Sequence, residues 1–573
     1  MRNPTPQQIH GRRWATLGVL CLSLLVVVVD NSIVNVAVPS LVRQLHASTT
    51  ALQWIVDAYT LATAGLLLTM GSLGDRIGRH RTLAAGLVVF GIGSALAAIS
   101  ESAAQLIACR VLMGIGAAAI MPATLSILTN VFTDASERAK AIAMWSAVAG
   151  LGVAIGPSLG GWLLEHFSWG SIFVVNLPIV AVALTAGRLV VPPSVNHHPS
   201  RPDPIGAALS IAGLLAVVYA IIEAPSNGWV SGTTVGIGTV GAMILAAWVV
   251  WELRSSHPMI DLHIFANARF SAASFAVTMI FLSLFGWLFL FTQQLQFVLG
   301  FNPLQAGVRA LPFALTIGMV AQPAAKLSAR IGTKVVVASG LALMGVGFGL
   351  VSTSSVHTHY PFLLAASVIV AAGMGLAMAP ATDSIMGSLP PAQAGVGSAV
   401  NDTTRELGGA LGVAVIGSVS ATLFSSHLHR LLVHLPAPTA ARAKVSVGAA
   451  VTFGQHMAGP VGRQLVDVAR QSFITGADRA VLVAVIAALL GALAAALFLP
   501  ARAEAGLSAP ATTAMAGGLS APATTAAVAT ATHPRVLGGV ASVAGPGPWN
   551  VTVGQVTSER RVVKVPTSAR ATP

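Results

Sequence analysis

The sequence contains few charged residues for its length. Aspartate, glutamate, lysine and arginine make up 9% of its 573 residues, whereas soluble globular domains contain about 25%. Hydrophobic residues account for 55%, and the mean hydropathy is +0.79. This composition excludes an ordinary soluble domain and predicts an all-α protein that crosses a membrane many times.

Cysteine is scarce as well. The two cysteines, Cys21 and Cys109, both lie in apolar stretches, so the sequence offers no disulfide framework and no spacing suited to a metal. The phosphate-binding pattern G-x-x-x-x-G-K-[ST] does not occur in the sequence either. We therefore predict no metal, no cofactor and no bound nucleotide.

Acidic residues are outnumbered by basic ones, and the formal net charge is +13. Such an excess can indicate nucleic-acid binding. Here, however, the basic residues lie in short loops between apolar runs rather than along one face of a helix. Lipid headgroups and membrane topology explain the excess better, and no nucleic-acid partner is predicted.

Long apolar runs dominate the rest of the chain. Runs of about 20 residues, the length that a helix needs to cross the hydrocarbon core, predict about fourteen spans. The first has no persuasive cleavage site after it and is interpreted as a retained helix rather than a signal peptide. The runs lie near 16–38, 52–73, 82–100, 105–128, 140–163, 172–191, 205–222, 234–252, 271–292, 305–326, 334–352, 361–382, 404–424 and 478–498.

The short loops predict how these spans are oriented. Alternate loops are rich in lysine and arginine, whereas the loops between them are nearly bare. By the positive-inside rule, the basic loops and both termini face the cytoplasm. The basic loops contain Arg76, Arg79, Arg81, Arg138, Lys140, Arg254, Arg269, Lys326, Arg330 and Lys334.

The loop at 71–83 carries the most informative motif, G-x-L-x-D-R-x-G-R-x-R-x-L. Gly71 and Gly78 allow two helix ends to approach, while Asp75, Arg76 and Arg79 form a compact charged cluster. An ordinary basic loop that obeys the positive-inside rule is the alternative interpretation. We predict that the cluster belongs to a cytoplasmic gate and stabilises one of its states.

A degenerate copy of this loop at 326–334 predicts an internal repeat. Arg330 aligns with Arg76 and Gly332 with Gly78, although the aspartate is lost. Two bundles related in this way are typical of transporters whose binding site lies between the repeats.

The repeat divides the chain into four parts. We predict a six-helix bundle in 1–200, two inserted helices in 201–260 and a second six-helix bundle in 261–500, which includes a long outer loop at 425–477. Residues 501–573 are rich in Ala, Thr, Pro and Gly and repeat the sequence G-L-S-A-P-A-T-T-A. This segment is predicted to be a disordered cytoplasmic tail.

Charged residues inside the spans require a partner, water or a function, because each costs about 2.5–3.5 kcal/mol on insertion scales. Asp30 in the first span is the best candidate for proton binding, because a carboxylate in a poorly hydrated cavity is readily protonated. A structural aspartate bonded to Asn31 or to a neighbouring helix is the alternative. Arg110, in the fourth span at a similar depth, is predicted to pair with Asp30, either under proton control or as a fixed structural pair.

Asp57 lies in the outer part of the second span. Its neighbours Trp54 and Tyr59 offer aromatic faces to a lipophilic cation, which favours a role in proton coupling or substrate binding. Since tryptophan and tyrosine are also common in interfacial belts, anchoring at the membrane surface is the alternative.

The fifth span contains the pattern G-x-x-x-G-P-x-x-G-G. Pro157 cannot donate a helical hydrogen bond, and glycines around it allow neighbouring helices to approach closely. The pattern predicts a helix that bends and rocks, with a general packing motif as the alternative. Its residues are Gly152, Gly156, Pro157, Gly160 and Gly161.

In chain order, the Asp30 segment, the loop at 71–83, the arginine span at 106–118 and the Gly-Pro helix at 152–161 form a set. This set resembles the fourteen-span drug:proton antiporter branch of the major facilitator superfamily, the EmrB/QacA type, over most of residues 10–500. The resemblance implies a major facilitator fold and alternating access driven by the proton gradient of a bacterial cytoplasmic membrane.

The same resemblance implies a function. An inward-open form would bind a lipophilic, often cationic compound, and outward protonation of Asp30 or a coupled group would favour its release. The implied partners are small-molecule substrates, protons and the lipid bilayer, and the protein is expected to be a monomer, as superfamily members commonly are. Asp383, Arg405 and Glu406 are expected to contribute polar or gating contacts, and a position at the cytoplasmic interface is the alternative for Arg405 and Glu406.

Two other functions stay open at this point. One is export of an endogenous lipid, siderophore or other metabolite, which the sequence does not separate from drug export. The other is a non-transporting membrane receptor, which the charged residues inside the spans and the Gly-Pro helix disfavour. An enzyme is not expected, because the sequence contains no recognisable arrangement of nucleophile, base and orienting group.

Overall fold

The structure, a computed structural model, describes residues 6–193, 203–390, 394–432, 443, 445–457 and 459–500. In these ranges, 14 helical segments are long and apolar enough to cross a membrane, and each overlaps one of the predicted spans. The predicted spans and the all-α fold class are therefore confirmed. The tail predicted at 501–573 lies outside the described residues.

The helices are α1 (Pro6–Leu45), α2 (Thr49–Ile77), α3 (Arg79–Ala98), α4 (Ala103–Val131), α5 (Ala135–His166), α6 (Ser171–Val174), α7 (Asn176–Val190), α8 (Pro204–Asn227), α9 (Gly232–Arg254), α10 (Ala268–Gln293), α11 (Pro303–Ile331), α12 (Thr333–Val351), α13 (Tyr360–Met386), α14 (Ala394–Leu432), α15 (Val447–His456) and α16 (Pro460–Phe498). A π-helical turn at Gln294–Val298 extends α10, and a 3-10 turn at Leu262–Ala266 precedes it. The short α6 and α7 together form the sixth span.

Side-chain caps fix several of the helix starts. Ser48 and Ser102 accept hydrogen bonds from backbone N–H groups in the first turns of α2 and α4. At the start of α5, hydrogen bonds from the backbone N–H of Glu137 and from Ser136 hold the pKa of Asp134 below its ordinary value. This cap therefore stays charged at neutral pH and complements the helix dipole.

The prediction of a long loop at 425–477 is wrong, because most of its described residues are helical. α14 continues to Leu432, Val447–His456 forms α15, and α16 begins at Pro460, well before the predicted start of the last span at 478. The first part of α16 mixes apolar with polar residues at helical spacing, so a search for continuous apolar runs overlooks it. The buried residues that mark this spacing are Leu465, Val466, Ala469, Phe473 and Ile474.

Reciprocal glycine contacts show the internal repeat in three dimensions. A Cβ on Gly86 would lie 2.9 Å from the carbonyl oxygen of Gly116, and one on Gly116 would lie 2.8 Å from that of Gly86. Gly340 and Gly373 have the same relation in the second half, at 2.7 and 2.5 Å. The offset between Gly86 and Gly340 equals the offset between the two copies of the loop motif. Thus α3 crosses α4 as α12 crosses α13.

We expect Gly340→Ala to reduce the yield of folded protein strongly. The added methyl group would meet backbone atoms of α13, which cannot move aside unless the two helices separate. Gly349 in the same helix has open space at its Cβ position, so Gly349→Ala is the matched control. The measurement is the monodisperse yield after detergent extraction. Equal yields for the two variants would contradict the close crossing of α12 and α13.

The described chain forms two helical bundles and an inserted hairpin. In the first bundle α1 packs on α5, and α2 and α3 pack on α4; in the second, α10 packs on α14 and α16, and α12 packs on α13. The inserted hairpin consists of α8 and α9. Because α8 also packs against α2 and α14, it lies along the seam where the two bundles meet.

The two bundles contact each other at the end opposite to loop 71–83. We call the side with loop 71–83 the inner side and the opposite side the outer side. At the outer ends of α5 and α11, Ser158 Oγ donates to Gly307 O at 3.4 Å, and Asn302 Nδ2 donates to Glu165 Oε1 at 3.3 Å. Farther in, the same helices carry large apolar side chains that are 49–69% exposed. These side chains are Met144, Leu151, Met319 and Ile331.

Candidate functional site

A buried ion pair joins the first and fourth helices. Arg110 Nη1 donates to Asp30 Oδ2 at 2.5 Å, and neither side chain has any exposed surface. Both residues lie in the outer half of their helices, which run in opposite directions, so they meet at one depth. The predicted pairing is confirmed, and its role in proton coupling stays a prediction.

Asn176 forms a hydrogen bond with the other carboxylate oxygen of Asp30. Asn176 Nδ2 donates to Asp30 Oδ1 at 2.9 Å and lies 3.1 Å from Ser94 Oγ, which donates to the carbonyl oxygen of Phe173 at 2.8 Å. Asp30, Asn176 and Ser94 are completely buried. Sequence reasoning missed Asn176 and Ser94 because it considered only ionisable groups. A lone amide inside the apolar run at 172–191 was the available signal.

Arg110 is also held by the second helix. Its Nε donates to the carbonyl oxygen of Ile55 at 3.0 Å, and its Cζ lies 4.2 Å from the centre of the Tyr59 ring. The planar guanidinium suits both contacts at once. Arg110 therefore ties α4 to α1 through a charge and to α2 through neutral contacts, so neutralising Asp30 would remove the tie to α1 alone.

Asp57 has surroundings very different from those of Asp30. Its side chain is completely buried, and neither carboxylate oxygen has a hydrogen-bond partner among the described residues. This burial does not fit the alternative of a wet anchor at the membrane surface. A buried polar group without a partner is unfavourable, which makes Asp57 a candidate for a residue that changes state.

The aromatic neighbours of Asp57 are engaged elsewhere, contrary to the expected cation site. Tyr59 faces Arg110, and its hydroxyl donates to the carbonyl oxygen of Val27 at 3.4 Å. Trp54 packs against Tyr219 of α8, with its Nε1 3.4 Å from Glu223 Oε1. Tyr59, two residues after Asp57, lies on another face of α2. Trp54, three residues before Asp57, lies on a neighbouring part of the helix surface, but its ring contacts α8 instead.

The charged cluster of loop 71–83 forms at the inner corner of α2 and α3. Arg79 Nε donates to Asp75 Oδ1 at 2.8 Å, and Arg79 Nη1 donates to the carbonyl oxygen of Ser126 in α4 at 3.2 Å. Gly78 joins the two helices with φ 106°, a conformation that strongly favours glycine. These contacts fasten three helices of the first bundle together.

The remaining two residues of the predicted gate differ in position. Gly71 faces α4, where its Cβ position lies 3.7 Å from Pro122, and Arg76 is exposed on the inner side. A role of the whole cluster in gating stays a prediction.

The glycines of α5 pack this helix closely on the Asp30 segment of α1. Gly152, Gly156 and Gly160 form a stripe at four-residue spacing, and Ser32 Oγ donates to the carbonyl oxygen of Gly152 at 3.2 Å. The α1 residues that a Cβ at the three positions would meet are Val28, Ser32 and Ile33. These residues flank Asp30.

The other side of α5 contacts the second bundle. A Cβ on Gly161 would meet the carbonyl oxygen of Pro303, and one on Gly307 would meet that of Pro157. Thus α5 connects the helix that carries Asp30 with α11. The motif serves close helix packing in this structure, and a rocking motion stays a prediction.

Acidic residues also line α14 of the second bundle. Arg405 Nη1 lies 3.8 Å from Asp402 Oδ1, and its Nη2 lies 3.4 Å from Thr382 Oγ1. Glu406, one turn from Asp402, is half-buried and lies within electrostatic range of Tyr59 in the first bundle. The sequence singled out Arg405 and Glu406 but missed Asp402.

Two phenylalanine rings of α10 lie beside Arg405, whereas Asp383 is not part of this cluster of side chains. Arg405 Cζ is 5.7 Å from the centre of the Phe281 ring, which stacks with Phe285 of the same helix at 5.9 Å. Asp383 is exposed near the inner end of α13. The half-buried α14 surface therefore combines carboxyl groups with apolar rings, on a helix that packs against α2 of the first bundle.

Comparisons with known proteins agree with this architecture. A family model described as Major Facilitator Superfamily matches residues 20–413. The multidrug efflux pump LfrA of Mycolicibacterium smegmatis is 36% identical over 493 residues, which cover 86% of this chain and 97% of that protein. The methyl viologen resistance protein SmvA of Salmonella typhimurium is 35% identical over 467 residues, covering 81% and 93%.

A solved structure shares the fold. It is a bacterial homologue of the human lysosomal transporter Spinster, in an inward-facing and unoccupied conformation, with a TM-score of 0.61 and 16% identity. The match covers 86% of this chain and 98% of that one. The resemblance predicted from the motifs is confirmed, and the chain belongs to the Major Facilitator Superfamily of membrane transporters.

Proposed function

We propose that this protein exports lipophilic, often cationic compounds in exchange for protons, by alternating access. The observation that carries the proposal is the fully buried Asp30–Arg110 pair, held in the membrane between helices that α5 connects to the second bundle. The names of LfrA and SmvA, a multidrug efflux pump and a methyl viologen resistance protein, support the substrate class.

The pair provides a means of coupling protons to helix position. Protonation of Asp30 removes the charge that holds Arg110 to α1, while the bonds from Arg110 to α2 persist. A change at Asp30 then reaches α5 through the glycine stripe and α11 through Gly161. Because packed helices switch between discrete arrangements, such a local change can be converted into rocking of the bundles.

The proposed substrate site is the surface between the bundles, and we propose that compounds reach it from the inner side. Asp402 and Glu406 supply carboxyl groups, and Phe281 and Phe285 supply apolar rings, a combination that suits a lipophilic cation. The transporter is proposed to lie in a bacterial cytoplasmic membrane as a monomer with both termini in the cytoplasm.

The test is efflux of a fluorescent lipophilic cation from energised bacteria that express the protein. We expect faster loss of the dye than from cells with an empty vector, and loss of this difference after a protonophore is added. A difference that survives the protonophore would contradict proton coupling. If no lipophilic cation is exported, an endogenous substrate or a receptor function is favoured instead.

A further inference from the structure

Two buried glutamines hold the outer seam between the bundles. Gln53 of α2 is completely buried, and its Nε2 donates to the carbonyl oxygen of Val413 in α14 at 3.0 Å. The same nitrogen lies 3.2 Å from both Ala414 O and Ser418 Oγ. A methyl group on Gly417 would lie 2.6 Å from this nitrogen, so α14 approaches the amide closely.

The second glutamine makes the reciprocal connection. Gln296, 8% exposed, lies in the π-helical turn that ends α10, and its Nε2 donates to the carbonyl oxygen of Val36 in α1 at 3.0 Å. Each bundle thus sends one neutral amide to a backbone carbonyl of the other. We call Gln53, Gln296 and the carbonyl groups that they contact the outer lock.

Asp57 lies on the face of α2 that forms this seam. Gln53 is four residues before it and Leu61 four residues after it, so the three share one row of the helix. Leu61 packs with Val218 of α8 and Ala410 of α14, while Gln53 bonds to α14. Asp57 is therefore placed between the lock and an apolar contact, where α2, α8 and α14 meet.

Every helix that packs around α2 carries charged side chains. None of the described ones forms a hydrogen bond with Asp57. Arg110 of α4 and Asp30 of α1 satisfy each other, and Glu223 of α8 accepts from Trp54. The others are Asp402, Arg405 and Glu406 of α14, Arg79, His80 and Arg81 at the inner end of α3, and Asp75 and Arg76 of α2 itself.

We propose that Asp57 is the proton-sensitive element of the outer gate, which closes through the outer lock when Asp57 is protonated and opens when it is ionised. The seam is buried and offers Asp57 no hydrogen-bond partner among the described residues. Because burying an unpaired charge costs more free energy than burying a neutral group, protonated Asp57 favours the closed seam and ionised Asp57 disfavours it. The glutamine bonds are uncharged and hold the seam at any pH.

The proposal rests on the proposed proton exchange and gives it a direction. In the outward-open state, Asp57 is wetted and takes a proton from outside. Closure of the outer lock, whose bonds are formed in this structure, then returns the substrate site to the inner side. Loss of the proton to the inside destabilises the closed seam and favours reopening.

The experiment measures the gate directly, without a substrate. Spin labels are attached at Glu101→Cys and His357→Cys, exposed positions on outer loops of the two bundles, in a Cys21→Ala/Cys109→Ala background. Distances are measured by pulsed electron paramagnetic resonance in nanodiscs at acidic and alkaline pH. In the parent, we expect the ratio of long to short distances to rise with pH by up to about tenfold per pH unit, as for a single proton.

Substitutions at Asp57 test whether this residue causes the pH dependence of the distances. Asp57→Asn and Asp57→Leu, two neutral side chains of different polarity, should keep the short distance at every pH, whereas Asp57→Glu should retain the pH dependence. An undiminished pH dependence in the neutral variants, or none in the parent, would overturn the assignment to Asp57.

A separate variant tests the outer lock. Gln53→Leu should increase the long-distance population at every pH and leave the pH dependence in place, since it removes a neutral bond. An unchanged distance distribution in this variant would refute the lock. Because none of these measurements requires transport, their failure is distinguishable from a failure of the efflux test.

Discussion

We expect Asp30→Asn to reduce proton-driven efflux of a lipophilic cation to the level of cells that lack the protein. The amide has nearly the shape of the carboxyl group and its one oxygen can accept a hydrogen bond from Asn176 or Arg110, so the site keeps its shape and one of its two hydrogen bonds. It cannot take up a proton, and the charge that holds α4 to α1 is permanently absent. Dye efflux and membrane abundance, measured in the same cells, check this result.

Two variants serve as controls for Asp30→Asn. Asp30→Glu keeps an ionisable group and should retain part of the efflux. Asp261→Asn makes the same chemical change at an exposed aspartate that lies before α10 and bonds to His263, and it should leave efflux unchanged. Normal efflux in Asp30→Asn, at equal abundance, would place the coupling proton elsewhere, with Asp57 as the first candidate.

The second large effect is expected on stability. Arg110→Leu should destabilise the protein by about 3–5 kcal/mol, the usual cost of removing one partner from a buried ion pair. Asp30 would keep only the hydrogen bond from Asn176, in a site with no exposed surface. Thermal unfolding of the purified protein in detergent provides the measurement.

The double variant Asp30→Asn/Arg110→Leu separates the charge effect from loss of packing. Replacing both charges by neutral groups of similar size is often neutral or stabilising, so most of the lost stability should return while efflux stays absent. If Arg110→Leu were as stable as the wild type, the pair would not hold α1 to α4 as described. If the double variant were less stable than Arg110→Leu, packing rather than charge would dominate.

The sequence predicted those features for which the membrane leaves few alternatives. An apolar run of sufficient length has to cross the bilayer as a helix, so all fourteen spans were found. A charge at depth requires a partner, which led from Asp30 to Arg110. The repeat was visible from one glycine and one arginine in each copy of the loop, because the tight corner at the glycine recurs in both bundles.

The sequence did not predict the contacts of neutral polar residues, nor the helical segment in which apolar and polar residues alternate. Asn176, Gln53 and Gln296 are tolerated in many helical positions, so their type alone does not reveal which backbone or carboxylate they contact. The first turns of α16 were not predicted as helix, because their apolar residues alternate with polar ones and only tertiary packing buries them. The rotation of α2 decides what surrounds Asp57, and so the sequence did not reveal that this aspartate is buried without a hydrogen-bond partner among the described residues.

If substrate export and proton entry are one exchange, each gradient should drive the other in purified, reconstituted protein. The purified protein is placed in liposomes that contain a pH-sensitive dye, and a gradient of a lipophilic cation is imposed without any initial pH difference. We predict that the cation gradient drives protons in the opposite direction, and that Asp30→Asn liposomes show no such movement. Cation flux through the wild-type protein without proton movement would contradict the account.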